Sequence, residues 1–207
     1  KMKYILILFL IISCKLFSQE KKVVYLNENY QEIDKSEFIK GESSREYLDL
    51  YFENDSLIQG LLVRRRPIGK LNENQLNELK RNLSIPKEIN DELIVIIYYP
   101  GKDRCNGMER NSTWNIFDRD YLKKLKKISD VNHHWIYKDD ENLKYYYQDK
   151  IGWKKDNNQL IENFFFKYHY PCFSCVVIDS KGNFIANYGE FGKQTVWEIS
   201  KELKKIK

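Results

Sequence analysis

The chain has 207 residues, with 35 lysines and arginines against 30 aspartates and glutamates and a formal net charge of +5. Lys1, Lys3 and Lys15 fall in the first 18 residues, which hold no acid, so the remaining 189 carry only +2. That balance excludes the basic footprint of a nucleic-acid-binding domain. Four prolines, nine glycines and frequent aromatics exclude a disordered chain.

Residues 1–20 read KMKYILILFLIISCKLFSQE. A basic start precedes an unbroken apolar run from Tyr4 to Ile12, shorter than the roughly 20 residues a membrane-spanning helix needs. The pattern predicts an export signal over 1–18. Cleavage after Ser18 leaves Gln19 first. Ile11-Ile12-Ser13-Cys14 also resembles a bacterial lipoprotein box, which makes Cys14 a lipidated N-terminus and the one expected attachment to a membrane. On either cleavage the expected location is the periplasm or cell envelope. The 189 residues after the signal suffice for one domain with a core, or a domain and a small N-terminal extension.

Val23 to Leu26 reads as a short strand. From Glu46 to Arg66, two alternating apolar runs flank Asn54-Asp55-Ser56, a hairpin signal; Arg64, Arg65 and Arg66 form a solvated strand end. Leu76, Leu79 and Leu83 lie on one helical stripe, and Pro86 ends it. These residues form an N-terminal β-hairpin plus helix over 19–87, with an α/β domain over 88–207. That domain opens on ELIVIIYY, Glu92 to Tyr99, the continuous apolar run of a strand buried on both faces. The loop PGKDRCNG follows. A helix from Asp118 to Ile128 is expected with Asp118 as N-cap and Tyr121, Leu122, Leu125 and Ile128 inward. HHWIYKDD gives a second strand, and NLKYYYQDK and NNQLIENFFFKYH further helix. CVVIDSKGNFIANYGEF predicts a hairpin turning over residues 180–183. A last amphipathic helix carries Val196, Ile199, Leu203 and Ile206.

Cys105, Cys172 and Cys175 follow the signal, allowing at most one intramolecular disulfide and leaving at least one thiol. Cys172 and Cys175 have Cys-x-x-Cys spacing. In a strand their α-carbons lie about 10 Å apart and their side chains face opposite ways, so they cannot bond, which requires roughly 4.4–6.8 Å. A turn or bulge over 172–175 would let them close.

The order strand, cysteine loop, helix, strand, helix, Tyr-Pro, hairpin, terminal helix resembles the thioredoxin fold over about the last 115 residues. It looks most like exported thioredoxin-like proteins of the bacterial envelope. HYPCFSCVVIDSKGN and the returning strand carry most of the resemblance. The family's proline before this strand is cis, which makes Pro171 its candidate counterpart. Redox-active members place Cys-x-x-Cys after the first domain strand. Here Cys105 stands alone, since Lys102 and Met108 occupy the positions three residues away. The resemblance instead implies that Cys172 lies beside the Cys105 loop, as a catalytic pair, a structural bond or two separate thiols.

His133 and His134 are adjacent and face opposite ways in a strand, and His169 adds no known metal-ligand spacing. They read as strand-edge histidines, with no metal or cofactor expected. Asn111-Ser112-Thr113 is a glycosylation triplet, without meaning in a bacterial envelope protein. Tyr145, Tyr146, Tyr147, Trp153, Phe164, Phe165, Phe166, Tyr168 and Tyr170 form a dense aromatic set. Three consecutive aromatics cannot all face one core from one helix. Some are therefore exposed for binding or covered by the N-terminal hairpin.

Two functions follow. One is a non-catalytic module that binds a protein partner in the envelope through the 100–112 loop and an aromatic face, with Pro171, Tyr146, Trp153 and Phe165 as contact residues. The other is a thiol–disulfide oxidoreductase with Cys105 as nucleophile and Cys172 as its resolving partner.

Overall fold

A computed structural model describes residues 21–86, 93–105, 112–146 and 148–205. The expected export signal over 1–18 with Cys14, and also Gln19, Met108, Asn111, Tyr147 and Ile206, lie outside the described residues. The protein is mixed α/β, with a three-stranded and a six-stranded sheet. Among the described residues no helix is long and apolar enough to cross a membrane.

Two units are distinguished. One runs to Ser44 and resumes over Asp49–Val63; the other takes in Arg45–Leu48 and Arg64 onward. The sequence reading put its boundary at 87/88 instead. The difference lies in β4 (Ile68–Lys70), which pairs antiparallel with a strand more than a hundred residues later. A three-residue strand is too short to carry a periodicity of its own.

The first unit is built on β1 (Lys22–Leu26), α1 (Lys35–Glu42), β2 (Tyr47–Glu53) and β3 (Leu57–Arg64), in the sheet order β1-β3-β2. The expected hairpin turn is present. The Asn54 side-chain oxygen accepts from the backbone N–H groups of Ser56 and Leu57, at 3.0 and 2.9 Å, the Asx geometry that makes asparagine a turn residue. Phe38 is the anchor of α1, buried against the rings of Tyr25 and Tyr51 with centroids 4.7 and 5.9 Å away. Gly60 admits it, since a β-carbon there would lie 2.9 Å from the Phe38 ring.

The second unit centres on β5 (Leu93–Tyr99), buried throughout as its unbroken apolar run requires. With β6 (Val131–Tyr137), β7 (Lys154–Lys155), β8 (Ser174–Ile178) and β9 (Asn183–Asn187) it forms a sheet ordered β4-β9-β8-β5-β6-β7. β5 runs parallel to β6 and antiparallel to β8. Leu93, Val95, Ile97 and Tyr99 point to one face, where α3 (Asp120–Ile128) and α6 (Lys193–Lys205) bury Tyr121, Leu125, Val196, Ile199 and Leu203. Tyr98, on the other face by alternation, stacks on Phe166 with centroids 4.5 Å apart. Phe166 follows α5 (Leu160–Phe165), which lies against α2 (Glu73–Asn82). A four-residue helix, α4 (Gln148–Ile151), precedes β7.

Local chemistry explains the ends of these elements. Asn72 and Gln75 form a reciprocal capping box at α2. Asp156 caps α5, its two oxygens accepting from the N–H groups of Ile161 and Glu162 at 3.0 and 2.9 Å. The β8–β9 turn closes as expected, with Asp179 Oδ1 accepting from Lys181 and Asn183 and Gly182 at φ +84°. A β-carbon at Gly182 would meet the Leu71 carbonyl at 2.7 Å.

Two expectations for α3 are corrected. Arg119, not Asp118, stands at the N-cap of α3, and the Asp118 carboxylate pairs with Lys193 at 2.7 Å. Leu122 is 40% exposed, since successive helical residues diverge by about 100° and Tyr121 takes the inward position.

Candidate functional site

β5 delivers the chain to Pro100 and Gly101, the latter at φ +113°, where a β-carbon would lie 3.0 Å from that of Asp139. The chain then turns at Asp103, whose Oδ1 accepts from the Cys105 N–H at 2.8 Å. From the other side of the sheet, Pro171 and Cys172 lead into β8, which is paired with β5 so that Tyr98 faces Ser174. The strand ends therefore bring Cys105 and Cys172 together across 67 residues of sequence, as a disulfide with α-carbons 5.4 Å apart. Cys105 is exposed and Cys172 half-buried.

One carboxylate joins both sides of this bond. Asp103 Oδ2 accepts from the Cys172 N–H at 2.7 Å, while Oδ1 holds Cys105. His169 Nε2 lies 3.4 Å from the same Oδ2. The Asp103 side chain is only 11% exposed, His169 46%. Cys172 has φ +70°, in the left-handed region that a β-carbon disfavours.

Cys175 does not share this site. It is a free thiol buried inside β8, paired with Ile97 and Asn187 in the ladders to either side. Burial pushes its pKa up to about 12, against smaller lowering effects from a backbone hydrogen bond at Asn187 and the Arg66 charge. The thiolate is the reactive form. We therefore expect iodoacetamide at pH 8 to leave Cys175 unmodified in the native chain and label it after unfolding in urea. Native labelling of Cys175, mapped by mass spectrometry, would contradict its burial.

The proposed aromatic face is not one. Tyr146 and Phe165 are buried at 8% and 3% exposure, and Trp153 packs against the core with its Nε1–H donating to the Tyr146 carbonyl at 3.0 Å. Phe173 is the hub beneath the disulfide. Its ring centroid lies 4.4 Å from Trp114, 4.8 Å from Tyr146 and 5.0 Å from Tyr99, and Cys172 packs on this cluster. Pro171 is half-buried, and no peptide bond among the described residues is cis, so the cis expectation for Pro171 is corrected as well.

The histidines lie on the stretch of β6 that β7 does not reach, since β7 pairs only with Ile136 and Tyr137, yet neither is exposed to solvent. His133 shares a hydrogen bond with the Tyr121 hydroxyl at 2.9 Å, and His134 is buried at 7% exposure. His169 stands apart from both, at Asp103. Among the described residues no three of His, Cys, Asp and Glu are grouped to hold a metal.

Sequence reasoning missed Asp103 and Phe173. Asp-x-Cys carries a local turn signal, but the bond from Asp103 to Cys172 spans 69 residues and has no signature in the chain. No family model, curated protein or solved structure matches this chain.

Proposed function

We propose that this is an exported, thioredoxin-like thiol–disulfide exchange protein whose working pair is Cys105 and Cys172. The observation that carries this reading is the meeting of the two cysteines at one end of the central strands, with Cys105 open to solvent. The order of β5, cysteine loop, α3, β6, β8, β9 and α6 supports the thioredoxin-like part. The N-terminal signal supports export. The competing reading, a module binding through the 100–112 loop with Pro171, Tyr146, Trp153 and Phe165, has less support because the last three rings lie in or against the core.

The chemistry needs only the two sulfurs and a protein dithiol. A substrate thiolate attacks Cys105 Sγ, the exposed end of the bond. The Cys105–Cys172 bond breaks and its electron pair leaves on Cys172, which takes a proton from water. The substrate's second thiolate then attacks its own sulfur in the mixed disulfide and expels Cys105 as thiolate. The substrate leaves as a disulfide and the protein as a dithiol; the same steps reversed reduce a substrate disulfide.

The test is reduction of insulin disulfides with dithiothreitol as electron donor. Wild type is expected to exceed the uncatalysed rate, and Cys105→Ser and Cys172→Ser each to fall back to it. A wild-type rate equal to background, or unchanged rates in both variants, would overturn the reading.

A further inference from the structure

Resting on that proposed exchange function, we infer that Asp103 is a positioning residue that sets the reduction potential of the Cys105–Cys172 pair and holds it toward the disulfide. The carboxylate is bonded to the backbone N–H groups of both cysteines, at 2.8 and 2.7 Å, through separate oxygens. Neither bond involves sulfur, so opening the disulfide removes neither donor nor acceptor.

Two consequences act in the same direction. First, Asp103 keeps the two backbones at a separation that suits a disulfide, 5.4 Å between α-carbons within a usual range of roughly 4.4–6.8 Å. One thiol is thereby presented to the other at high effective concentration, which favours closure. The left-handed backbone of Cys172 reinforces the point. A non-glycine residue leaves such a conformation unless its surroundings hold it there, and the bond from its N–H to Asp103 is such a hold. Second, a carboxylate only 11% exposed places a weakly screened negative charge against the backbones of both cysteines. It disfavours either cysteine as thiolate, and so disfavours the reduced state and its ionisation. Preorganisation and charge together drive the potential down.

Asparagine at this position has one accepting oxygen in place of two and no charge. The experiment is a redox titration of the intact chain against dithiothreitol, read by alkylation and mass, for wild type, Asp103→Asn, Asp103→Glu and, as a charge control, Glu141→Gln, whose carboxylate pairs with the neighbouring Lys102 at 2.8 Å. Asp103→Asn is expected to be reduced at least tenfold more readily, a potential raised by about 30 mV or more for a two-electron couple. Its Cys105 thiol is expected to ionise at lower pH. Asp103→Glu, which keeps charge and both acceptors, is expected closer to wild type than Asp103→Asn, and Glu141→Gln within threefold of wild type. An Asp103→Asn equilibrium constant within threefold of wild type, or lower potential, overturns the inference. So does an equal shift in Glu141→Gln.

Hydrogen exchange on the reduced wild-type chain gives an independent reading if Asp103→Asn does not fold. Protection of the Cys105 and Cys172 amides after reduction supports the inference, and free exchange at both overturns it. Titration with a small dithiol needs no protein substrate. Failure to reduce insulin therefore overturns the proposed function alone, an unmoved potential overturns the role of Asp103 alone, and a chain with no oxidisable pair overturns both.

Discussion

Cys105→Ser is expected to lower the unfolding free energy of the oxidised protein by about 4 kcal/mol. The bond closes a loop over a separation of 67 residues, and restraining the unfolded chain to that extent contributes roughly 4 kcal/mol at 25 °C in the chain-entropy account. Little offsets it on the folded side. β5 and β8 are already paired from Ile94–Ile178 to Tyr98–Ser174, so the folded chain brings the two cysteines together without the bond. Cys105 is exposed, and serine there opens no cavity. The effect is therefore that of the cross-link, read as a lower urea midpoint at unchanged or larger m.

The same quantity bears on chemistry. Whatever the bond adds to the fold, the fold adds to the bond, because the cycle linking oxidation and folding must close. About 4 kcal/mol makes the native pair roughly a thousandfold harder to reduce than the same pair in urea. Coincident urea midpoints for oxidised wild type and Cys105→Ser would remove both the stabilisation and this coupling.

Legibility in the sequence followed the range of the interactions. Elements defined by neighbours along the chain were readable: the all-apolar β5, the Leu76–Leu79 stripe of α2, the Asp179–Asn183 turn with Gly182. The meeting of Cys105 with the Cys172 segment was legible only through the resemblance to the thioredoxin order, since no spacing encodes it. The aromatics misled for a physical reason. Consecutive rings cannot share one face of a continuous helix, and the chain avoids the conflict by having none there. Leu143–Tyr145 is a single 3-10 turn, and α5 ends at Phe165, with Phe166 already at ψ +57°. Phe165 can then meet Phe184 while Phe166 meets Tyr98. Helix breaks of this kind are tertiary choices, and a burial assignment based on helical periodicity inherits their absence.

Acid is expected to destabilise the protein well above the carboxylate range, through His133 and His134. Burial lowers the pKa of His133 to about 3, helped by the neighbouring His134. Burial lowers that of His134 to about 4, helped by the Lys154 charge. Among the described residues His134 Nε2 has no hydrogen-bond partner, so no acceptor faces a proton added to that nitrogen. In the unfolded chain both titrate near 6.5. Between pH 6.5 and these depressed values the unfolded state binds more protons than the folded one, so the unfolding free energy falls as pH falls. Full stability is present above about pH 6.5, and each histidine removes about 2 kcal/mol by pH 5.

Asp156 acts with the opposite sign. Its pKa is raised, by burial first, against the backbone hydrogen bonds it accepts. The folded state therefore gains protons there relative to the unfolded, a contribution that opposes the histidines as pH falls. Urea titrations from pH 7.5 to pH 5 read the histidines against this opposing contribution, and the His134 variant separates the two. The expected result is a loss of about 4 kcal/mol, and His134→Gln is expected to recover about half of that slope. A stability flat across this interval would mean that both rings accept protons within the fold, and that the β6 face is wetter than its packing implies.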